Sequence, residues 1–301
     1  MKLLVLGGPT ATGKTAAAVH VACLWNAVLV SADAMQVYRG MDIGTGKAPR
    51  CLLNRYPHAG VDIREPHEAF DAMDFADMAD AVIEEARNGG RPVVVAGGTG
   101  FYLRSLLFGL VETPPGDFPL RKELEALPDP HGALAEVDPV LAERLHPNDT
   151  VRIIRGLEVH RLTGRRLSDL HAEHSASQHS ASPRHEAVCL WLDREDLDVR
   201  IDRRVLRMME RGYLEEVRGL LEGGVSPEAK PMRSLGYRHL AEHLAGEMDL
   251  EEAVRRTQRD TRKFARKQRT FLKGLEGFGQ VDASDRATVL EAATAAFGPC
   301  T

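Results

Sequence analysis

The stretch "LGGPTATGKT", Leu6–Thr15, follows the apolar run "LLV" and leads into "AAAVHVACLW". It holds glycine at 8 and 13, lysine at 14 and threonine at 15, the complete spacing G-x-x-x-x-G-K-[ST]. Glycines at these places let the main chain turn its N–H groups inward onto phosphate oxygens. A helix starting near Lys14 adds the positive end of its dipole, and Lys14 adds a full charge. The Thr15 hydroxyl suits a ligand of Mg2+. The predicted phosphate site is therefore Gly8, Pro9, Thr10, Ala11, Thr12, Gly13, Lys14 and Thr15. The apolar run before it and the helical pattern after it supply the strand–loop–helix setting that the motif needs.

Further along, "AVLVSAD" reads as a second strand ending at Asp33. "DFADMADAVIEEARNGG" reads as a helix, with Phe75, Met78, Ala79, Val82 and Ile83 on one face and paired glycines as its stop. "RPVVVAGGTG" is a third strand entering another glycine turn. Strand, helix, strand, helix, strand predicts an α/β fold, a P-loop NTPase-like parallel sheet flanked by helices. From about Val111 the pattern changes: "ETPPGDFP" is a proline-rich boundary, and short helical stretches follow to about Leu170. "HAEHSASQHSASPRH" then reads as a polar loop, and "EAVCLWLD" as a strand rejoining the core. The predicted organisation is a first core part over 1–110, an inserted helical domain with its linker over 111–185, and a second core part over 186–301. Long helices are predicted over 199–221, 234–244 and 250–275. The histidines His171, His174, His179 and His185 invite a metal reading, but no acidic partner or helical frame fixes them, and a solvated linker is expected.

The 301 residues suffice for one large core, or for a core with a smaller insertion. A composition 43% hydrophobic and 28% charged is that of a soluble globular chain, and no apolar run approaches the roughly 20 residues that cross a bilayer. One lysine, a short strand and then the glycine loop are not the pattern of a signal peptide. The four cysteines are scattered without CxxC spacing, which argues against zinc and disulfides and for a reducing cytoplasm. The net charge of −5 hides one strongly basic segment: Arg255–Lys273 holds nine Lys or Arg against Asp260 alone. There Arg255, Arg259, Arg262, Arg266 and Arg269 form a helical stripe, opposite Val254, Thr261, Ala265, Gln268 and Leu272. Such a stripe suits a polyanion, or pairs with acids elsewhere in the chain.

Nucleotide kinases and NTPases commonly hold Mg2+ with an aspartate after a later apolar strand. Here "PVVVAGG" ends in glycine. The strand-end carboxylate near the loop is Asp33, at the edge of a parallel sheet where ligands bind. A carboxylate there can accept a proton from an incoming nucleophile, or it can simply cap a turn.

Together with the phosphate loop, "SADAMQVYRGMDIGTGKA" (Ser31–Ala48) resembles the tRNA dimethylallyltransferase, or tRNA isopentenyltransferase, family. "PHAGVDIREPHEAFDAMDF", "GGTGFYLRSLLFGL", "LHPNDTVRIIRGLEVHRLTGRRLSDL", "RSLGYRHL" and "RDTRKFARKQRTF" fit in the family's order, so the resemblance runs from Leu3 to about Phe271. It implies transfer of a dimethylallyl group from dimethylallyl diphosphate to the exocyclic amine of the adenosine 3'-adjacent to the anticodon of a tRNA, with diphosphate leaving. It implies Mg2+ as cofactor. Lys14, Thr15 and Arg233 would offset charge growing on the diphosphate, and Asp33 would take the amine's proton. The base would reach them by flipping out of the anticodon loop.

By the same resemblance Asp33, Ala34, Met35 and Gln36 meet the flipped base. Thr99, Arg121 and the run Val151, Arg152, Ile153, Ile154, Arg155 match other tRNA-contacting positions. Two positions depart from the pattern: Ala34 stands where the family commonly has serine, and Phe271 where it commonly has tryptophan. The expected state is a cytoplasmic monomer with no membrane partner. An adenylate isopentenyltransferase acting on free AMP, ADP or ATP is the nearest alternative, though a free nucleotide needs neither the insertion nor the arginine segments. A P-loop small-molecule kinase, or an RNA-binding protein with an inert loop, fits less of the pattern.

Overall fold

A computed structural model describes residues 2–180 and 184–300, with the side chains of 176–180, His179 among them, outside that description. The chain divides into two units, one of Met1–Leu107 with Arg184–Thr301 and one of Phe108–Pro183. The first unit opens with β1 (Leu3–Gly7), α1 (Lys14–Trp25), β2 (Val28–Ser31), α2 (Arg50–Arg55), β3 (His58–Ala59), α3 (Ala72–Asn88), β4 (Val93–Gly97) and α4 (Gly100–Phe108). The second unit holds α5 (Phe118–Glu125), α6 (Pro130–Val137), α7 (Pro139–Arg144), α8 (Thr150–Thr163) and α9 (Leu167–Ser180). The chain returns through β5 (Ala187–Asp193), α10 (Leu197–Glu210), α11 (Tyr213–Glu222), α12 (Tyr237–Leu244), α13 (Leu250–Lys273), β6 (Phe278–Asp282) and α14 (Arg286–Phe297).

All strand pairs are parallel, in the order β3-β2-β4-β1-β5-β6. Both faces of the sheet are covered, which is why its strands read as unbroken apolar runs rather than alternating ones. Leu4, Leu6 and Leu29 pack with Val21 of α1 and with Val289 and Ala293 of α14, while Val5 and Val95 between them are also buried. β1 lies between β4 and β5, so the glycine loop that follows it opens in the middle of the sheet's C-terminal edge. α3 begins at a reciprocal cap: Asp71 accepts from the Met73 and Asp74 N–H groups, and Asp74 accepts from the Asp71 N–H.

Several sequence expectations need correction. The helix predicted over 199–221 is two helices, because Gly212 adopts φ 95°, a left-handed conformation that ends one and starts the next. The serine- and histidine-rich run is not a loop as far as Ser180 but the second half of α9. It contains no glycine or proline before Pro183, and its alanines and glutamine are good helix formers. β6 and α14 were not foreseen. β6 is an edge strand in which only Val281 is buried, so it lacks the apolar run that marks the inner strands. Among the described residues no helix is long and apolar enough to cross a membrane.

The second unit has its own core of Leu124, Leu134, Leu141, Ile153, Ile154, Leu157, Val159 and Leu167. Two buried acids organise it. Asp138 caps α7 through the Leu141 N–H at 3.1 Å and accepts from the Ser168 N–H at 2.9 Å and the Ser168 hydroxyl at 2.6 Å. Glu158, fully buried on α8, accepts from the Asp117 N–H at 2.7 Å and from Arg121 Nε at 2.8 Å and Nη2 at 3.0 Å, and it also pairs with Arg155.

Candidate active site

The phosphate loop is a tight turn with its lysine folded inward. Gly13 precedes α1 at φ 100°, a conformation only glycine adopts at low cost. Lys14 Nζ donates to the Pro9 carbonyl at 2.6 Å, and the Thr12 hydroxyl donates to the same carbonyl at 3.0 Å. Gln268 of α13 straps the loop to the neighbouring strand end: its Oε1 accepts from the Thr10 N–H at 3.0 Å, and its Nε2 donates to the Gly98 carbonyl at 2.8 Å. Thr15 is half-buried in the first turn of α1.

Asp33 lies just past the end of β2. Its Oδ1 accepts from the Met35 N–H at 2.9 Å and, more weakly, from the Gln36 N–H at 3.4 Å, so it does cap a turn. The other carboxylate oxygen has no hydrogen-bond partner among the described residues. Thr99 steadies the next residue by accepting from the Ala34 N–H at 3.0 Å, and its own N–H donates to the Ala32 carbonyl at 3.1 Å. Gly97 makes this approach possible: a Cβ there would lie 2.0 Å from the Ala32 carbonyl oxygen. The same crowding leaves no room for a carboxylate at the end of β4. Gln36 is engaged locally, accepting from the Ser31 hydroxyl at 3.0 Å. The run Asp33, Ala34, Met35, Gln36 is half-buried throughout.

Two arginines missed by the sequence reading complete the cluster. Arg200 Nε of α10 donates to the Ala11 carbonyl of the loop at 2.9 Å. Arg204, one turn on, lies within electrostatic reach of both Lys14 and Asp33. It packs against the glycine turn at Gly46, where a Cβ would sit 1.8 Å from Arg204 Nη2. That turn is held by Glu216 of α11, which accepts from the N–H groups of Asp42 at 2.8 Å, Ile43 at 2.6 Å and Gly44 at 3.0 Å. The available signal was the pair of arginines at i and i+4, a repulsive spacing on a helix unless an anion sits nearby. Arg233 is different: it is an exposed residue in the turn before α12, and no hydrogen bond or ion pair among the described residues ties its side chain to the loop.

Burial drives the Lys14 ammonium down to about 7; Asp33 works against that shift and Arg204 adds to it. A bound anion favours the charged lysine, so above pH 7 binding must draw a proton from solvent. Inorganic diphosphate is expected to bind more weakly as pH rises above neutrality, with net proton uptake at about pH 8. Titration calorimetry in two buffers of different ionisation enthalpy measures that uptake. No uptake at about pH 8 would mean that Lys14 is already charged before the ligand arrives.

On α13 the stripe arginines are paired with the protein's own acids. Arg255 pairs with Glu252, Arg259 with Asp260 at 2.9 Å, Arg262 with Asp202, Arg266 with Asp198 at 3.5 Å, and Arg269 with Asp193 at 2.6 Å. The packing face is turned slightly from the predicted one. Ala265, Gln268 and Leu272 are buried as expected, but Ala253 and Thr257 are buried where Val254 and Thr261 were predicted. In the second unit Val151 and Arg152 are exposed, whereas Ile153 and Ile154 are core residues. Arg155 donates to the Thr113 hydroxyl at 2.8 Å and the Pro114 carbonyl at 2.7 Å besides pairing with Glu158. Arg121 holds the same carboxylate. His185 is tied to Asp80 at 2.7 Å.

A phosphate loop on an inner parallel strand, with a half-free carboxylate past the next strand and arginines from a later helix, defines an α/β enzyme that works on a phosphate-bearing substrate. The family model for IPP transferases matches residues 36–275, and the chain belongs to that family. It is 46% identical to the tRNA dimethylallyltransferase 2 of Geotalea uraniireducens over 280 residues, covering 90% of this chain and 89% of that one. The crystal structure of the tRNA delta(2)-isopentenylpyrophosphate transferase of Staphylococcus epidermidis has 30% sequence identity and a TM-score of 0.71, with 97% of each chain covered. A eukaryotic dimethylallyltransferase acting on tRNA has 26% identity and a TM-score of 0.79, covering 98% of this chain and 77% of its own.

Proposed function

We propose that this chain transfers the dimethylallyl group of dimethylallyl diphosphate to the exocyclic amine of an adenosine beside the anticodon of a tRNA. The observation that carries the reading is the glycine loop itself, held by Arg200 through the Ala11 carbonyl at 2.9 Å, with Lys14, Arg204 and Asp33 within electrostatic reach of one another. The amine nitrogen attacks the allylic carbon and the carbon–oxygen bond to diphosphate breaks, its electron pair leaving with the diphosphate. An amine proton passes to Asp33. Loop N–H groups, Lys14 and the α10 arginines offset charge growing on the leaving group, an effect realised in the transition state. A kinase reading is weaker, because β4 ends at Gly97 without room for a metal-holding acid.

Mg2+ fits as a partner of the diphosphate rather than as a resident of a protein cage. Among the described residues no group of three His, Cys, Asp or Glu could hold a metal. The half-buried Thr15 hydroxyl would supply one ligand, and phosphate oxygens and water the rest, as Mg2+ commonly accepts. Bound so, it would neutralise diphosphate charge. Labelled dimethylallyl diphosphate offered separately with tRNA, AMP and ATP tests the proposal. Label should appear on tRNA with stoichiometric diphosphate release. Label on free nucleotide alone would select the adenylate isopentenyltransferase alternative.

A further inference from the structure

We propose that Glu216 is a positioning residue for the transfer reaction, one that fixes the turn over residues 42–46 and through it the place of the Arg204 guanidinium. The inference deepens, and rests on, the reading that the α10 arginines offset charge on a departing diphosphate. Glu216 lies in the first turn of α11, and its carboxylate takes four hydrogen bonds. Three come from the successive N–H groups of Asp42, Ile43 and Gly44, and the fourth from the Tyr237 hydroxyl of α12 at 2.6 Å. Successive N–H groups that converge on one anion make a nest, and bonds to an ionised acceptor are roughly twice as strong as neutral ones. One side chain thus ties α11, α12 and the turn together. Tyr213, three residues earlier on α11, adds its ring to the same grip: a Cβ on Gly44 would lie 2.1 Å from Tyr213 Cε2. The far end of the turn is held separately. There the buried Lys47 ammonium donates to the Tyr38 carbonyl at 2.5 Å, Asp62 Oδ1 at 2.6 Å and Asp42 Oδ1 at 2.8 Å.

The turn so fixed is a wall of the site. Arg204 packs against Gly46 so closely that any side chain there would collide with Nη2. Its guanidinium has no hydrogen bond or ion pair among the described residues. Packing on Gly46 and the charges of Asp33, Arg207 and Arg211 are what place it. An arginine held by directed bonds would keep its position when a neighbouring wall moved; one held by packing follows the wall. Gln36 Nε2 also reaches the Thr45 carbonyl at 3.5 Å, so the turn touches the segment beside Asp33 as well. Placement matters steeply here, because moving a catalytic group by about 1 Å can cost about a hundredfold in rate.

The test compares Glu216→Ala, Tyr237→Phe and Arg204→Ala, and each of the first two combined with Arg204→Ala, in single-turnover transfer from prebound dimethylallyl diphosphate to tRNA. Glu216→Ala should slow transfer by about 10–100-fold. Tyr237→Phe, which removes one donor and leaves the ring, should slow it by about two- to tenfold. In both, KM for tRNA should stay within about twofold of the parent's. Neither double variant should be slower than Arg204→Ala alone, because a residue that acts through Arg204 then has nothing left to place. A merely structural role would multiply the losses instead. Rates equal to the parent's in both single variants, losses that multiply with that of Arg204→Ala, or a loss confined to KM for tRNA would overturn the proposal and leave the reading of the reaction standing. If Glu216→Ala does not fold, Tyr237→Phe decides on the same outcomes. An Arg204→Ala variant as fast as the parent would overturn both the role of the α10 arginines and the inference built on it.

Discussion

Asp33→Asn is expected to slow dimethylallyl transfer by about 10²–10⁴-fold, the usual contribution of a general base, while donor binding is retained. Asparagine is the informative replacement because its carbonyl oxygen can still accept from the Met35 N–H, as Oδ1 does at 2.9 Å. The turn that carries Ala34 and Gln36 therefore survives, and only the proton acceptor is lost. Asp33→Ala removes acceptor and turn together, so its larger loss would be harder to assign. The comparison must be made below pH 7. Asp33 supports the charged form of Lys14, whose ammonium burial has already lowered to about 7. Without that carboxylate the lysine loses its proton still more readily, and at higher pH donor binding would fall for a reason unrelated to the base. Single-turnover measurement with donor prebound isolates the chemical step. A rate equal to the parent's would remove Asp33 from the proton transfer.

The phosphate loop, the inner strands and Asp33 were legible because each leaves a local mark. A buried parallel strand is a continuous apolar run, and the loop motif has fixed spacing. The α10 arginines left no comparable mark. Arg200 and Arg204 sit in a helix whose apolar side, Leu197, Ile201, Val205 and Met208, reads as ordinary amphipathic packing. Their role depends on α10 lying against a loop nearly 190 residues earlier in the chain, which is tertiary information. The same limit affected the basic stripe. The sequence shows five arginines in register but not that Asp193, Asp198 and Asp202 come from other elements to pair with three of them. Exposure alone does not separate the cations of α13, since Arg255, Arg259 and Arg266 of the stripe are as open to solvent as Lys267 but are paired. β6 went unread because an edge strand with one buried residue has no periodic signal.

Glu158→Ala should loosen the second unit by about 2–4 kcal/mol, near the low end of what breaking a buried ion pair costs. The carboxylate is wholly buried and gathers the start of α5 through Asp117 and Arg121, and the segment before it through Arg155, Thr113 and Pro114. Removing it strands two guanidinium groups, but the Arg121 and Arg155 side chains are 42% and 27% exposed and can turn toward water, which holds the loss down. Burial pushes the Glu158 carboxyl up, and hydrogen bonds from Arg121, Arg155 and the Asp117 N–H more than reverse this, so its pKa lies below the ordinary glutamate value. A depressed folded-state pKa means that the stabilisation is complete above the unfolded value of about 4.3 and is lost as pH falls through the folded one. Glu158→Gln should therefore be less stable than the parent at neutral pH and lose less on acidification. Both tryptophans lie in the first unit, so amide hydrogen exchange of peptides over 111–170 is the suitable measurement. The alanine variant should speed exchange there and leave the sheet unchanged. Arg152→Ala, at an exposed side chain paired among the described residues with Asp149 alone, across one helical turn, should leave exchange as it was. If both substitutions weakened tRNA binding but only Glu158→Ala altered exchange, Arg152 would be the RNA contact, and Arg121 and Arg155 the frame that presents it. Unchanged exchange in Glu158→Ala would mean that the carboxylate does not hold the unit together.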